Sequence, residues 1–355
     1  MRSERISRVR QGLQDMQLEG VLFVHMPNIR YLTGFTGSEG ALLVTGGAVV
    51  LLVDGRYTTQ AREEVTSCGI REFSDPVAGI TDAVRKERLS SLGFEATVLS
   101  YDTYRRLAEN LNGVRLHPLS GEPAAIRSRK DSGEVTAMKR AAAIAASSLT
   151  GIIDMIRPGA VERDIAFALE SAMRDEGSEK PAFETIVASG EHAAMPHARP
   201  GSRKIEKGDF VVIDYGAVSD GYNSDETCTF MVGEPTTRQR KVYRIVKEAH
   251  DRAIEAVKAG ASCSEIDGRA RSVIEKAGYG GYFSHGTGHG VGLEVHEPPR
   301  VSSRSTEVLE TGMVVTVEPG IYIPGTFGIR IEDMVLVGES GGEILTKMPK
   351  ELTVL

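Results

Sequence analysis

Four carboxylates fall where carboxylates are rare. Residues 208–216, GDFVVIDYG, and 312–320, GMVVTVEPG, share one form: a glycine, an apolar β-branched run, a carboxylate, one residue and a second glycine. Asp214 and Glu318 hold the same place in the two copies. Further on, Asp225-Glu226 opens TCTFMVG and Glu332-Asp333 opens MVLVG. Acids are depleted from strand interiors, and a buried carboxylate without a partner is strongly unfavourable. Ser219-Asp220-Gly221 is a hairpin turn signal. With a two-residue loop at 219–220 or at 220–221, Asp214 and Asp225 share one face, opposite or diagonal, roughly 5–8 Å apart. In GIRIEDMVLV, alternation puts Arg330 and Glu332 on one face and Ile329 and Ile331 on the other. Acids on solvated strand faces explain any one of these residues. Four in register point to oxygen ligands whose repulsion is relieved by bound cations.

Histidine supplies a second donor type. Six of the eight histidines lie within residues 192–296, and FSHGTGHGVGLEVHEPPR holds His285, His289 and His296. A helical zinc pair of His285 and His289 fails, because Gly286, Gly288 and Gly290 would each cost that helix roughly 1 kcal/mol. A phosphate-cradling loop fails too, since no strand precedes it and no Lys or Asp follows at the needed spacing. The glycines suggest backbone brought close to a ligand or metal, a plain Gly-rich surface loop being the alternative. His197, in AAMPHARPG, sits in a Pro-flanked loop before the Asp214 strand. His192 and His250 lie in polar stretches and read as surface residues; His25 and His117 read as packing or surface residues. Nucleophilic alternatives are poor: there is no GxSxG, Cys228 reads as a small buried hydrophobe, and Cys68 and Cys263 have no nearby His.

The elements that must hold these groups follow from periodicity. Ile6, Val9, Leu13 and Met16 have helical spacing, and GVLFV, ALLVT and AVVLLV have strand length. DGRY (54–57) ends a strand and opens a polar helix through Val65. An αβ pattern continues to Leu119, and residues 120–134 read as a linker. Asp131 and Glu134 resemble a capping box. The stripe Val135, Met138, Ala142, Ala145, Leu149, Ile152, Ile156 predicts a long helix stopped by Pro158-Gly159. Residues 156–177 then resemble 257–278, each with Gly-Ala, a helix with Ile165 or Ile266 in register, and a terminal Gly177 or Gly278. Two related halves, each giving two carboxylates, are expected.

Composition narrows the class. A chain of 355 residues suggests two domains. The 49 acids against 42 basic residues, net −7, argue against nucleic acid as partner. No apolar run approaches the ~18 residues that span a membrane. MRSERISRVRQ is basic without a following apolar region, so no secretory signal is expected. Three scattered cysteines argue against a disulfide framework and against a Cys-rich zinc site, and a reducing cytoplasm is the simplest location.

The order Asp214, Asp225, His289 in GHG, Glu318 in VEPG and Glu332 in RIED resembles the pita-bread metallopeptidases, which include methionine aminopeptidase, aminopeptidase P and prolidase. The resemblance is nearest to the Xaa-Pro peptidases and covers nearly the whole chain. It implies an α/β (α+β) protein: a creatinase-like N-terminal α/β domain, residues 1–125, and a pita-bread catalytic domain with a pseudo-two-fold repeat, residues 126–355. It implies two divalent cations, Mn²⁺ first, with Co²⁺, Zn²⁺ or Fe²⁺ also suited. Asp214 resembles a bidentate ligand, Asp225 and Glu332 bridging ligands, and His289 and Glu318 the remaining ligands, Glu318 also relaying a proton. His197 and His296 resemble histidines near the scissile bond, and His285 one lining the substrate side. Arg330 resembles the arginine that holds the acidic network. Phe183 and Ile186, in PAFETIVASG, resemble the apolar wall for proline, and Arg300 resembles a prolidase arginine that meets a dipeptide's carboxylate. The implied reaction is hydrolysis of the bond between an N-terminal residue and proline in short peptides, by a homodimer. Dipeptides are slightly favoured over the longer substrates of aminopeptidase P. The extra N-terminal domain argues against methionine aminopeptidase. A non-catalytic peptide-binding protein or a creatine amidinohydrolase would be expected to have lost ligands.

Overall fold

The computed structural model describes residues 2–355. The chain divides into two compact units, Met1–Arg127 and Ser128–Leu355. In the first, the helices are α1 (Arg2–Asp15), α2 (Met26–Thr33), α3 (Thr58–Glu64), α4 (Pro76–Lys86), α5 (Tyr101–Asn110) and the short α6 (Glu122–Ala125). They accompany strands β1 (Gly20–Phe23), β2 (Ala41–Thr45), β3 (Val49–Asp54), β4 (Gly69–Phe73), β5 (Ser91–Glu95) and β6 (Arg115–Leu119). The strands form one mixed sheet in the order β4-β3-β2-β1-β5-β6. Ile6, Val9 and Leu13 are the buried stripe of α1, while Met16 lies beyond its end and is exposed. Leu22, Leu43, Val50 and Leu52 pack with Val77, Ile80 and Val84 of α4. The stretch read as a linker is thus partly helical, in α6.

The second unit is built twice over. Its first half has α7 (Ser132–Ile152), α8 (Glu162–Asp175), β7 (Ile186–Ser189), β8 (Phe210–Tyr215), β9 (Val218–Ser219), β10 (Tyr222–Asn223) and β11 (Glu226–Met231). Its second half has α9 (Thr237–Ala256), α10 (Cys263–Lys276), β12 (Gly288–Gly290), β13 (Glu297–Val301), β14 (Val314–Val317), β15 (Gly320–Ile323), β16 (Phe327–Arg330), β17 (Asp333–Val337), β18 (Gly342–Ile344) and β19 (Thr353–Val354). The main sheets run β19-β11-β8-β7 and β13-β12-β14-β17-β18. Both long helices start with a full capping box, Asp131 with Glu134 and Thr236 with Gln239. Before the second helix of each half, Gly159 N donates to Ile205 O and Gly260 N to Leu309 O, both at 2.8 Å. The α7 helix ends at Ile152, earlier than Pro158-Gly159 suggests, and a 3₁₀ turn over Ile153–Met155 follows.

Pleating divides each sheet into a core face and a second face. Val211, Ile213 and Tyr215 of β8 and Cys228 and Phe230 of β11 pack on Leu149, Ile165, Leu169 and Met173. Val315, Val317, Val335 and Val337 pack on α9 and α10 through Val242, Val246, Ile266 and Ile274. Each such side chain, fully buried, contributes about 1.5–3 kcal/mol. The intervening residues, Val212 and Asp214, Thr227 and Thr229, Thr316 and then Glu318, take the other face. The core therefore fixes where the acids point.

Candidate active site

Ser219 pairs with Tyr222, enclosing a turn at Asp220-Gly221 with φ of 51° and 80°. Two positive φ values are the mark of a type I′ turn, whose twist suits a hairpin. Of the two possible loops, this is the one at 220–221. Asp214 pairs across with Thr227, so Asp225 lies on its diagonal on the same face. Asp225, His289 and Glu332 each offer one donor atom, and the three atoms lie within 4.8 Å of one another. Asp214 and Glu318 line the same cavity. Their carboxylates are engaged by other partners: Asp214 Oδ2 accepts from Arg330 Nη2 at 2.6 Å, and Glu318 Oε1 lies 3.3 Å from His289 Nε2.

The electrostatics are those of buried acids that repel one another. Burial, followed by the charges of Glu332, Asp214 and Glu318, raises the Asp225 carboxyl well above its ordinary range. Burial and the charges of Glu318 and Asp214 do the same to Glu332, opposed by a 2.6 Å bond from Thr227 Oγ1. Glu318 differs: burial raises it, but the bond and charge of His289, with His285 and Arg330, win and hold it at about 2. Asp214 Oδ1 is buried with no hydrogen-bond partner. His289 Nδ1 lies 3.1 Å from Gly290 O, an acceptor, so it donates there and Nε2 faces Glu318 and Asp225. A lone pair aimed at carboxylates is unfavourable unless a proton or cation lies between. The orphaned oxygen, the repelling acids and the imidazole orientation all fit a divalent-cation site with O and N donors.

Arg330 and Tyr322 brace this cluster. Arg330 is buried and also donates Nε to Thr227 Oγ1 and Nη1 to Pro196 O and Tyr322 OH, each at 3.0 Å. The Tyr322 hydroxyl, pushed up to about 12 chiefly by burial, passes a 2.8 Å bond to His285 Nε2. His285 Nδ1 donates to Gly286 O at 2.7 Å. Burial lowers the His285 pKa, and both its ring nitrogens are committed within the protein.

A cavity of about 960 Å³ opens over the cluster. Phe183, Ile186, His197, His285, His296 and Arg300 all line it. The His296 ring centroid lies 4.2 Å from that of His289. His197 follows Pro196, whose carbonyl receives Arg330. Arg300 is exposed, its backbone N–H bonded to Glu307 Oε2 at 2.8 Å. The carboxylate of Glu297 goes instead to Lys130 Nζ at 2.7 Å.

Three sequence expectations are corrected. His250 is buried rather than on the surface, 2 % exposed, with Nε2 3.1 Å from Asp333 Oδ2. His192 is half-buried against Glu162 Oε2 at 3.2 Å. Polar neighbours in sequence misled because each ring packs on an acid from a distant element. Third, Gly288 and Gly290 make room for protein backbone: a Cβ would lie 1.9 Å from Thr316 O at one and 2.3 Å from Pro298 O at the other. The glycines seat β12 between two strands so that His289 can project. Sequence reasoning also missed Thr227, Thr316, Tyr322 and Asp267. Thr227 and Thr316 stand two residues from Asp225 and Glu318, so strand alternation could have found them. Asp267 accepts from Thr287 N and Oγ1 at 3.1 and 2.9 Å and holds the loop before His289; no local signal marks it.

Known proteins match along the whole chain. Residues 136–339 match metallopeptidase family M24, and residues 5–129 match the creatinase/prolidase N-terminal domain. An Xaa-Pro dipeptidase of Pyrococcus horikoshii is 38% identical over 99% of both chains. The structure of an Xaa-Pro dipeptidase from Bacillus anthracis superposes with a TM-score of 0.97 at 39% identity, covering 100% of each chain. That of an X-Pro aminopeptidase from Thermotoga maritima gives 0.92 at 36%, covering 99% of each. Among the described residues, no helix is long and apolar enough to cross a membrane.

Proposed function

Since the chain belongs to metallopeptidase family M24 and carries a creatinase/prolidase N-terminal domain, we propose that it is a dinuclear exopeptidase that cleaves Xaa-Pro dipeptides. The observation that carries the reading is the cluster of Asp214, Asp225, His289, Glu318 and Glu332 on one cavity, with Asp225 and Glu332 repelling each other unless a cation intervenes. These five residues would hold two divalent cations, Mn²⁺ by preference. Bound, the cations supply Lewis acidity and lower the pKa of water toward neutrality.

The chain's own groups divide the remaining work. Glu318 stays ionised at neutral pH, so its carboxylate can take the proton of the attacking water. His296, whose pKa is lowered chiefly by partial desolvation on the cavity wall, donates an N–H to the oxygen that becomes negative as the carbonyl is attacked. His197, which lines the same cavity, orients the peptide. Phe183 and Ile186 offer apolar surface to the proline ring. Arg330 fixes Asp214 in its rotamer.

Chelation separates metal use from folding. The ligands stand on strands held by the two cores, so EDTA-treated protein keeps its far- and near-UV circular dichroism yet loses hydrolysis, and Mn²⁺ restores it. Full activity after exhaustive chelation would contradict the reading.

Dipeptide preference rests on Arg300. In a dipeptide the group beyond the proline ring is a carboxylate; in a tripeptide it is a neutral amide. A charge-assisted, bidentate bond distinguishes them by roughly 1.5–3 kcal/mol, about 10–150-fold in kcat/KM. Ala-Pro is therefore cleaved better than Ala-Pro-Ala by that factor, and Arg300→Ala removes the advantage by harming the dipeptide alone. A wild type that prefers the tripeptide, or a variant that harms both equally, assigns the aminopeptidase specificity instead.

A further inference from the structure

The strands that carry Asp225 and Glu332 bear a second ionic cluster on their other face. Alternation turns the next residues, Glu226 and Asp333, away from the cavity. Both are buried. Lys350, from the run before β19, stands between them, with Nζ 2.5 Å from Glu226 Oε1 and 3.4 Å from Asp333 Oδ1. Both carboxylates have further neighbours. Tyr215 OH donates to Glu226 Oε2 at 3.0 Å, Met348 N to Glu226 Oε1 at 2.9 Å and Thr346 Oγ1 to Asp333 Oδ1 at 2.5 Å. His250 Nε2 lies 3.1 Å from Asp333 Oδ2. The backbone around Lys350 is itself anchored: Tyr243 OH donates to Lys350 O at 3.0 Å, and β19 pairs with β11.

This arrangement spans a seam. β11 and β17 belong to different sheets, so no ladder sets their spacing there. The Glu332 N–H reaches Thr227 O at 3.2 Å, and the Lys350 clamp closes the opposite face. Because Glu226 follows Asp225 and Asp333 follows Glu332, a shift of either clamped residue moves its neighbour. Metal donors tolerate about 0.5 Å of displacement.

We propose that Lys350 is a positioning residue: by clamping Glu226 to Asp333 it sets the separation of Asp225 and Glu332, and through it the affinity for divalent cation. The inference rests on the reading of those two residues as ligands. It differs in sign from a pure charge effect. Removing a nearby positive charge by itself would tighten cation binding; loss of the clamp weakens it.

The test is calorimetric titration of chelated protein with Mn²⁺ alone. Lys350→Met binds about 10–100-fold more weakly than wild type, the usual loss when an outer support of a metal site is removed. Lys350→Arg, which keeps charge and reach, binds close to wild type. A folded Lys350→Met protein with unchanged or tighter Mn²⁺ binding overturns the inference, even if it melts earlier, because a merely structural lysine would show that. If Lys350→Met does not fold, Glu226→Gln/Lys350→Met carries the same expectation and the same refutation, His250 then serving Asp333. Wild type that binds no Mn²⁺ overturns the ligand assignment and this inference with it.

Discussion

Asp225→Asn and Glu332→Gln each lower hydrolysis of Ala-Pro by about 10³-fold or more, while the chelated variants melt higher than chelated wild type. The activity loss follows from the several kcal/mol of transition-state stabilisation that a metal supplies and that a missing ligand forfeits. The stability gain follows from the raised pKa values. Both carboxyls bind protons more tightly in the folded protein than in the unfolded chain. Without cations, stability is therefore lost as pH rises through those raised values, and an amide has no such loss. The two effects give a crossed pattern. At 100 times its dissociation constant, Mn²⁺ adds about 2.7 kcal/mol to wild type, roughly 5–10 °C in Tm, and little to either variant. Asp214→Asn, His289→Ala and Glu318→Gln also lose hydrolysis. Any two of the five variants with near-normal turnover and an intact Mn²⁺ shift would refute the ligand set.

His296→Ala separates catalysis from metal binding. The ring sits beside His289 without joining the three donors that lie within 4.8 Å of one another. Loss of one oxyanion donor is worth about 10²–10³ in kcat. The variant should lose that factor in kcat, with smaller change in KM and with the Mn²⁺ titration unaltered. Equal loss of cation binding would instead make His296 a ligand. No loss of kcat would leave the oxyanion without the donor assigned to it.

Some of this arrangement was legible because it is local. The period of two along a strand separated Arg330 and Glu332 from Ile329 and Ile331, and the buried packing of Ile329 and Ile331 follows it. The turn at Asp220-Gly221 needs residues that tolerate positive φ, and that chemistry put Asp214 and Asp225 on one face. The capping box at Asp131 and Glu134 is likewise a four-residue signal. The role of the glycines around His289 was misjudged because their partners, Thr316 O and Pro298 O, come from two other strands.

By itself, then, the sequence determined which donors exist, their order, their strand faces and the duplicated plan that sets them in two halves. Those properties depend on backbone periods and turns only a few residues long. Tertiary structure alone decided that Asp214 is the acid Arg330 takes, that Tyr322 links Arg330 to His285, and that Lys350 reaches Glu226 across 124 positions. It also buried His250 against Asp333. Such pairings carry no periodic signature. They are set when two half-sheets pack, excluding water, and each charge brought inside must find a counter-charge from whichever element the packing places beside it.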